Sequence, residues 1–339
     1  MEQGPLLHSP VYSEIMSRDR FLLLLSLLHF SNNEEQPPGD RLFKIQKILD
    51  MFRQNFQRNI IPFEDICIDE SLILFKGRLL FKQYMPSKQH RFGIKLFVMC
   101  DVKTGCVLDL IVYIGAQTAI IRNPDLGISG SVVSTLMAPY LGKGHSLYID
   151  NWYTSPQLAM FLHSHQTNMC GTVRPNWRGL PQLTKKLKKG EVEALHNNTM
   201  MALKWKDKRE VFMLTTMHTD EMIDTEKIDR ETKRPVRKPA CVVDYNKKMG
   251  TVDRTDMMLS SIKSVRKTVK WYKKLFLHLV DLSVLNAHAL YVAHTKKNES
   301  LATFQLELIR ELLEDHHEER AKTKGGHPSS GDIPMHLTQ

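Results

Sequence analysis

The sequence predicts an α/β fold, in which a mixed sheet carries helices on its faces. Segments rich in β-branched and aromatic residues begin near residue 66, and amphipathic helical runs lie between and after them. Apolar residues make up 42% of the 339 residues. A chain of this length and composition can bury a sizeable hydrophobic core.

Two helices are predicted near the start of the chain, at residues 11–30 and 40–60. In the second, apolar residues recur at helical spacing, namely Leu42, Ile45, Leu49, Phe52 and Phe56. Asp40 follows Pro37-Pro38-Gly39 and is the predicted N-cap of this helix. Two amphipathic helices bury little surface alone, so we expect them to dock on the next domain or on another chain.

Three strands are predicted next, at residues 66–75, 94–100 and 107–114. Lys103-Thr104-Gly105 forms the turn between the last two, which indicates an antiparallel meander. The predicted elements that follow are a helix near 132–141, a strand at 145–150, a helix at 156–165 and a strand at 169–173. Three antiparallel strands followed by helix, strand, helix and strand is the order of the ribonuclease H-like fold, a mixed sheet with flanking helices.

Residues 175–245 interrupt this order with a basic, turn-rich insertion whose predicted strands include 202–205 and 211–216. Thr251 is then the predicted cap of a helix that carries two aspartates, and a long amphipathic helix is predicted at about 269–293. An acidic helix should end near Glu319. Residues 322–339 lack the apolar content to pack and are predicted to be disordered.

Charge and cysteine content limit the classes of function. Lys and Arg outnumber Asp and Glu by 47 to 37, which favours a polyanionic partner, although a merely basic soluble protein would have the same balance. No secretory signal opens the sequence, and the strongest apolar run, residues 21–30, is roughly half the length that crosses a bilayer. No membrane partner is therefore expected.

The five cysteines form no C-x-x-C pair, and Cys67 and Cys100 are best explained as reduced core residues.

Acidic residues far apart in the sequence form the most informative set. Asp69 lies in an apolar strand, Asp150 ends another, and Asp253 and Asp256 share one face of a later helix. Taken singly, each has an ordinary structural explanation: a salt bridge, a turn cap or an interaction with the helix dipole. Taken together, they supply carboxylate oxygens from several directions, as two Mg²⁺ ions in a phosphoryl-transfer site require.

Four motifs carry a resemblance to a known family. They are Ile68-Asp69-Glu70-Ser71, Asp150-Asn151-Trp152-Tyr153-Thr154-Ser155, Gly171-Thr172-Val173-Arg174-Pro175-Asn176 and Gly250-Thr251-Val252-Asp253-Arg254-Thr255-Asp256. In this combination, over roughly residues 5–338, the chain resembles the piggyBac transposases and their domesticated, transposable element-derived relatives. The resemblance implies a ribonuclease H-like catalytic domain with a metal-binding triad at Asp69, Asp150 and Asp253, beside which Asp256 is an additional acid. It also implies two Mg²⁺ or Mn²⁺ ions and cut-and-paste transposition at TTAA targets through nicking, 3′-hydroxyl attack and hairpin ends.

The expected domain organisation follows from the resemblance. Residues 1–63 would form part of an N-terminal helical dimerisation and DNA-binding domain, and residues 64–174 the first part of the catalytic domain. Residues 175–245 would be the insertion, 246–320 the rest of the catalytic domain with its C-terminal helices, and 321–339 a disordered tail. Family members usually end in a cysteine-rich domain that reads the transposon ends, and this sequence stops before any such cluster.

A run of basic residues without an acid follows Asp256, and we predict that it forms a phosphate-binding stripe, most of it on one helical face. Its members are Lys263, Arg266, Lys267, Lys270, Lys273 and Lys274. A solvated helix face is the competing explanation. Basic clusters at 185–189 and 233–238 are suited to gripping DNA or to nuclear import, and Trp152 and Trp177 either stack on an unpaired base or are buried.

The sequence thus predicts a nuclear protein that binds double-stranded DNA, with TTAA-flanked ends as a candidate substrate, and that acts as a homodimer. The predicted activity is strand cleavage and transfer at a two-metal site. Two alternatives stay open. One is a domesticated DNA- or chromatin-binding protein that keeps the fold but performs no transposition, and the other is a generic two-metal nuclease.

Overall fold

The computed structural model describes residues 12, 15–86, 88, 91–228, 233–262, 264, 268 and 270–316. These described residues divide into two compact units, one within 12–28 and 305–316 and one within 29–304. In the first unit, helix α1 (Arg18–Leu27) begins after Ser17, whose hydroxyl accepts a hydrogen bond from the backbone N–H of Arg20. The second unit holds the sheet and every candidate site residue that the structure describes. The predicted tail at 322–339 lies outside the described residues.

Helix α2 (Gln46–Asn59) opens the second unit and packs against the sheet. The predicted N-cap was wrong: Ile45 occupies that position, and the carboxylate of Asp40 instead accepts from the N–H of Leu42 in the preceding turn. Arg53 of α2 forms a double hydrogen bond, at 2.7 and 2.9 Å, with the buried carboxylate of Asp109 on a sheet strand. A buried carboxylate needs such a partner, so this pair determines where α2 docks.

The predicted meander is confirmed. Strands β1 (Asp65–Leu74), β3 (Phe92–Asp101) and β4 (Val107–Val112) pair antiparallel in the order β1-β3-β4. The short strand β2 (Gln83–Tyr84) pairs with the start of β3. Asp101 accepts from the backbone and hydroxyl of Thr104, which closes the predicted turn between β3 and β4.

The sheet continues on the other side of β1 in parallel. Helix α3 (Gly127–Met137) precedes β5 (Ser146–Ile149), and helix α4 (Pro156–Ser164) connects β5 to β6 (Asn168–Thr172). Strand β5 pairs parallel with both β1 and β6. Pro156 occupies the first turn of α4, as predicted, and the structure shows Ser155 as its N-cap. The order β4-β3-β1-β5-β6 is that of a ribonuclease H-like sheet, so the predicted fold class is confirmed.

The region predicted as an insertion extends this sheet. Strands β7 (Val192–His196), β8 (Met201–Lys206) and β9 (Glu210–Thr215) form an antiparallel set, and β9 pairs with β6. The sheet therefore has nine strands. Strands β10 (Met222–Ile228) and β11 (Pro235–Pro239) form a separate hairpin. The strands predicted near 202–205 and 211–216 are present, whereas the domain boundaries stay a prediction.

Four helices follow: α5 (Ala240–Lys248), α6 (Thr251–Ser261), α7 (Trp271–Thr295) and α8 (Leu301–His316), of which the last runs into the first unit. The predicted cap of α6 was wrong by one position. Gly250 is the N-cap, and the hydroxyl of Thr251 donates back to the carbonyl of Lys248 at 2.7 Å.

Apolar side chains form one core cluster on each face of the sheet. Helix α7 is long and apolar enough to cross a membrane by length and composition alone. Four of its six leucines pack in the core, however, as in a central helix of a globular domain: Leu275, Leu279, Leu282 and Leu285. The side-chain amide of Asn286 accepts from the N–H of Val107 and donates to its C=O, at 2.8 and 2.9 Å, on the outer strand β4. All five cysteines are buried and free, in agreement with the predicted role of Cys67 and Cys100.

Candidate functional site

Two adjacent parallel strands bring Asp69 and Asp150 together. The register of β1 and β5 pairs Ile68 with Ile149. The residue that follows each isoleucine is an aspartate: Asp69 within β1 and Asp150 directly after β5. The carboxylates of Asp69, Glu70 and Asp150, called the strand acids below, offer oxygens that all lie within 4.8 Å of one another. Three acidic residues at this spacing could hold a divalent metal ion.

Backbone N–H groups orient both aspartates. The N–H of Glu70 donates to Asp69 Oδ1, and the N–H of Trp152 donates to Asp150 Oδ1, each at 2.8 Å. Below them, a Cβ at Gly171 would collide with the hydroxyl of Thr154 and the carbonyl of Ile149. Only glycine therefore allows strand β6 to approach the end of β5 this closely.

Burial leaves the strand acids short of compensating charge. Burial raises the pKa of Asp69 to about 8; the Glu70 N–H and Lys88 oppose this shift, and the charge of Glu70 adds to it. The pKa of Asp150 is also raised, first by burial and then by the charge of Glu70. A buried acid beside another acid favours the neutral form, and a bound divalent cation would reverse that preference. The residues present therefore fit a metal ion.

A lysine contacts the third strand acid. Lys95 Nζ donates to Glu70 Oε1 at 3.0 Å and lies 4.7 and 4.9 Å from the ring centroids of Phe97 and Trp152. The ring of Tyr113 is 5.8 Å away. These five residues are called the Lys95 cluster below. Because Phe97 and Trp152 stack at 5.4 Å with an angle of 15°, one face of the Trp152 ring is occupied within the protein.

Helix α6 carries the remaining two predicted acids, called the helix acids below: Asp253 and Asp256. The helix packs against β1 and β3. Ser71, which lies two residues after Asp69 on β1, donates its hydroxyl to Asp256 Oδ1 at 2.7 Å. Asp253 is 64% exposed and pairs with Lys88 Nζ at 2.8 Å. The helix acids thus face the same strand as Asp69 but lie outside the close group of strand acids.

Lys88 connects the two groups electrostatically. Burial lowers the pKa of Lys88, but the hydrogen bond to Asp253 and the charges of Asp69, Asp253 and Asp256 outweigh it and raise the pKa. The positive charge of Lys88 therefore lies where it interacts with both the strand and the helix acids. A cleft of about 500 Å³ adjoins it, with charged side chains from Lys88, Asp253, Asp256, Lys274 and Asp281 in its lining.

The predicted basic stripe is only partly described. Lys263, Arg266 and Lys267 lie outside the described residues. Among the others, Lys270 is exposed, Lys274 lines the cleft and Lys273 is buried. The prediction of one helical face was wrong for the described residues, because α6 ends at Ser261, α7 begins at Trp271 and positions 262, 264, 268 and 270 are not helical.

Local contacts explain why the helix does not begin earlier. The N–H of Ser264 donates to the carboxylate of Asp281, and the N–H of Lys270 donates to the hydroxyl of Thr268. Such side-chain hydrogen bonds compete with helical ones. The β-branched residues Val265, Thr268 and Val269 further lower the helix propensity of this stretch.

Sequence reasoning missed Glu70, Lys88 and Lys95. Glu70 was within a recognised motif, but strand alternation assigns it to the face opposite Asp69. Its proximity to Asp69 and Asp150 arises because β5 ends beside it, which no pattern within β1 reveals. For Lys88 and Lys95 the sequence carried no signal beyond a basic residue near an aromatic one.

Known proteins are similar to this chain over most of its length. A family model described as Transposase IS4 matches residues 2–288. The human PiggyBac transposable element-derived protein 2 is 25% identical over 86% of this chain and 51% of its own length. The human protein 3 of that name is 24% identical over 98% of this chain and 58% of its own length. The chain therefore spans somewhat more than half the length of these relatives.

A solved structure agrees with these matches. The cryo-EM structure of a piggyBac transposase synaptic complex with hairpin DNA superposes with a TM-score of 0.78 at 26% identity, over 98% of this chain and 75% of the other. The predicted resemblance is thus confirmed by family model, relatives and structure. The chain belongs to the Transposase IS4 family and, within it, to the piggyBac transposases and their transposable element-derived relatives.

Proposed function

We propose that this chain cleaves and transfers strands of double-stranded DNA at TTAA sites, with two Mg²⁺ or Mn²⁺ ions as cofactors. Asp69, Asp150 and Asp253 would hold the ions, and Asp256 would assist. The observation that carries the proposal is the β1–β5 register, which brings the carboxylates of Asp69 and Asp150 together where β5 ends beside β1. In mixed α/β sheets, ligands commonly bind at such strand ends.

Each part of the site has a separate task in this proposal. The N–H groups of Glu70 and Trp152 each donate to one oxygen of a strand aspartate and so orient the two carboxylates that would bind the ions. Ser71 holds Asp256 against β1. When bound, the ions would stabilise charge on the attacking and leaving oxygens of a phosphodiester. Burial keeps these groups in a medium of low dielectric constant, where such stabilisation is larger than in water.

Charge and similarity support duplex DNA as the substrate. The chain has a formal net charge of +10, and Lys274 lies in the cleft beside the helix acids. The piggyBac transposase that this chain resembles was solved with hairpin DNA. Action as a homodimer in the nucleus completes the proposal and is an inference from the same resemblance.

A metal titration tests the proposal most directly. The protein would be incubated with a TTAA-containing duplex at increasing Mg²⁺ or Mn²⁺, and nicks and hairpins counted on a denaturing gel. We expect metal-dependent nicking at TTAA, little nicking of a duplex in which TTAA is scrambled, and loss of nicking in Asp69→Asn with nearly unchanged DNA binding. Metal-independent nicking, or equal nicking by Asp69→Asn, would contradict the proposal.

A DNA-binding protein without transposition activity is the second candidate. Its supporting observation is that Asp253 is exposed and paired with Lys88 instead of joining the strand acids. Salt-sensitive binding of the duplex with no nicking at any metal concentration would favour this candidate. A generic two-metal nuclease would instead nick the TTAA and scrambled duplexes equally.

A further inference from the structure

The Lys95 cluster contacts both strand aspartates through their neighbours in the sequence. On the basis of the proposed function, we propose that Lys95 is a positioning residue: it holds Asp69 and Asp150 at a fixed separation and offsets part of their negative charge. Lys95 contacts neither aspartate in the hydrogen bonds and ion pairs of the described residues. Its effect therefore passes through Glu70 on one side and Trp152 on the other.

The first connection runs through Glu70. Lys95 Nζ binds Glu70 Oε1 at 3.0 Å, and both side chains are largely buried. The N–H of the same glutamate donates to Asp69 Oδ1. Anchoring the Glu70 side chain therefore restrains the peptide group that orients Asp69. An ion pair held in a buried environment has fewer alternative geometries than an exposed one.

The second connection runs through Trp152. The Trp152 ring lies 4.9 Å from Lys95 Nζ and stacks on Phe97, and the Trp152 N–H donates to Asp150 Oδ1. A cation over an indole ring is attracted most strongly where water is excluded. Lys95 thus restrains the loop that follows β5, and with it Asp150. A single ammonium group thus contacts both strand β1, at Glu70, and the loop after β5, at Trp152.

The charge of Lys95 has a second consequence. Three carboxylates lie within 4.8 Å of one another, so their negative charges repel one another. The positive charge of Lys95, 3.0 Å from Glu70, lowers this repulsion. Removing that charge should strengthen the binding of a divalent cation to the strand acids. It should also loosen the positions of Asp69 and Asp150 that the reaction needs. A purely structural lysine would produce no such opposite effects.

The sheet offers a matched control for this lysine. Lys204 and Glu210 form a Lys–Glu pair at 3.8 Å on β8 and β9, and Lys204 Nζ lies 5.9 Å from the ring of Phe212. These residues are on strands of the extension and do not belong to the strand acids. Glu210→Gln therefore weakens a comparable pair without affecting the site.

The test uses two readouts on the full chain. Lys95→Met keeps the length and apolar contacts of the side chain but removes its charge. At saturating Mn²⁺ we expect nicking to fall by about tenfold or more, as for residues that orient metal ligands. In DNA-free protein, Mn²⁺ binding followed by electron paramagnetic resonance should tighten by about threefold or more, because a nearby positive charge is gone. Lys95→Arg should recover most of the nicking rate, and Glu210→Gln should change neither readout.

The inference would be overturned if folded Lys95→Met nicked at the parental rate, or if Glu210→Gln lowered nicking as much. Should the parent protein not nick at any metal concentration, the proposed function fails, and the Mn²⁺ titration alone decides: unchanged affinity in Lys95→Met overturns the inference, and tighter binding supports it. Should Lys95→Met not fold, Trp152→Phe replaces it. That variant keeps the N–H that binds Asp150 but offers a weaker cation-binding ring, so nicking should fall by about threefold, and an unchanged rate would overturn the inference.

Discussion

The strand acids and the helix acids are held in different ways. Asp69 and Asp150 are positioned by the pairing of β1 with β5 and by backbone N–H groups. Asp253 and Asp256 instead accept hydrogen bonds from side chains, Asp253 from Lys88 and Asp256 from Ser71. A shift of register would break many backbone hydrogen bonds, whereas a lysine can change partner at little cost.

This difference suggests an order of assembly for the site. The strand acids are partly buried and already close together without a ligand, so they should bind a divalent ion first. The exposed Asp253 would exchange its lysine for a metal ion when the second ion or the DNA arrives. The roles of the strand acids and of the helix acids can be tested separately.

The largest expected effect is the loss of activity and metal binding when one aspartate of each set is replaced. Asp150→Asn and Asp253→Asn should each lower nicking by about a thousandfold or more, since both are proposed ligands. In DNA-free protein, Asp150→Asn should also abolish high-affinity Mn²⁺ binding, whereas Asp253→Asn should keep most of it. Isothermal titration calorimetry measures the Mn²⁺ affinity of each variant. Equal losses of Mn²⁺ binding in both variants would show that the site assembles as one unit.

The next effect concerns DNA contact on the helix side of the cleft. Lys270→Glu with Lys274→Glu should weaken duplex binding on the order of tenfold near physiological salt, because two phosphate contacts are lost. The slope of log affinity against log salt should fall by about 2. Fluorescence anisotropy at several salt concentrations measures both, with exposed Lys297→Glu as the control. A parental slope in the double variant would remove these lysines from the interface.

A smaller effect follows from the raised pKa of Asp69. Its pKa is about 8 in the folded protein against an ordinary value of 3.8, so between these values the native state keeps a proton that the unfolded chain has lost. The unfolding free energy of metal-free protein should therefore fall as pH rises from about 4 to about 8, and then level.

Urea unfolding in a chelator checks this dependence. Asp69→Asn should reduce the slope to the part that the raised pKa of Asp150 contributes, and it should be more stable than the parent at about pH 8 by on the order of 1 kcal/mol or more. Metal affinity should show the reverse trend and strengthen up to about pH 8, since a carboxylate must lose its proton to bind. A parental slope in Asp69→Asn would assign the titration to another group.

The smallest expected effect tests how α6 is held. Ser71→Ala removes the hydroxyl that binds Asp256 and should lower the unfolding free energy by about 1 kcal/mol. Nicking should fall only several-fold, because Asp256 assists and is not a proposed primary ligand. Thermal unfolding and the nicking assay measure the two quantities, with exposed Ser261→Ala on the same helix as the control. A loss as large as that of Asp150→Asn would mean that Ser71 has a further role.

Sequence reasoning succeeded where periodicity and order decide the structure. The strands around Asp69 and Asp150 are short apolar runs bounded by turns, and their order alone indicated which strands would be neighbours. It also placed Asp253 and Asp256 on one helix.

It failed where tertiary contacts compete with local preference. The run from Lys263 to Lys274 was predicted on one helix, but the described residues between α6 and α7 bind other partners, such as Asp281. Thr251 and Asp40 are both good capping residues, yet each uses its side chain in an adjacent turn. Lys95 reaches Glu70 across two paired strands, a contact that follows from strand pairing and from side-chain conformation together.

The contact of Asn286 with Val107 protects part of an outer strand from pairing with a strand of another molecule. Strand β4 forms an outer boundary of the sheet, where free peptide groups would recruit a strand from another copy. The Asn286 amide supplies the donor and acceptor that such a strand would bring. Helix α7 thereby blocks edge-to-edge aggregation at this position of β4. The protein can keep a large sheet at the high protein concentration of a cell with this part of the edge strand already hydrogen-bonded.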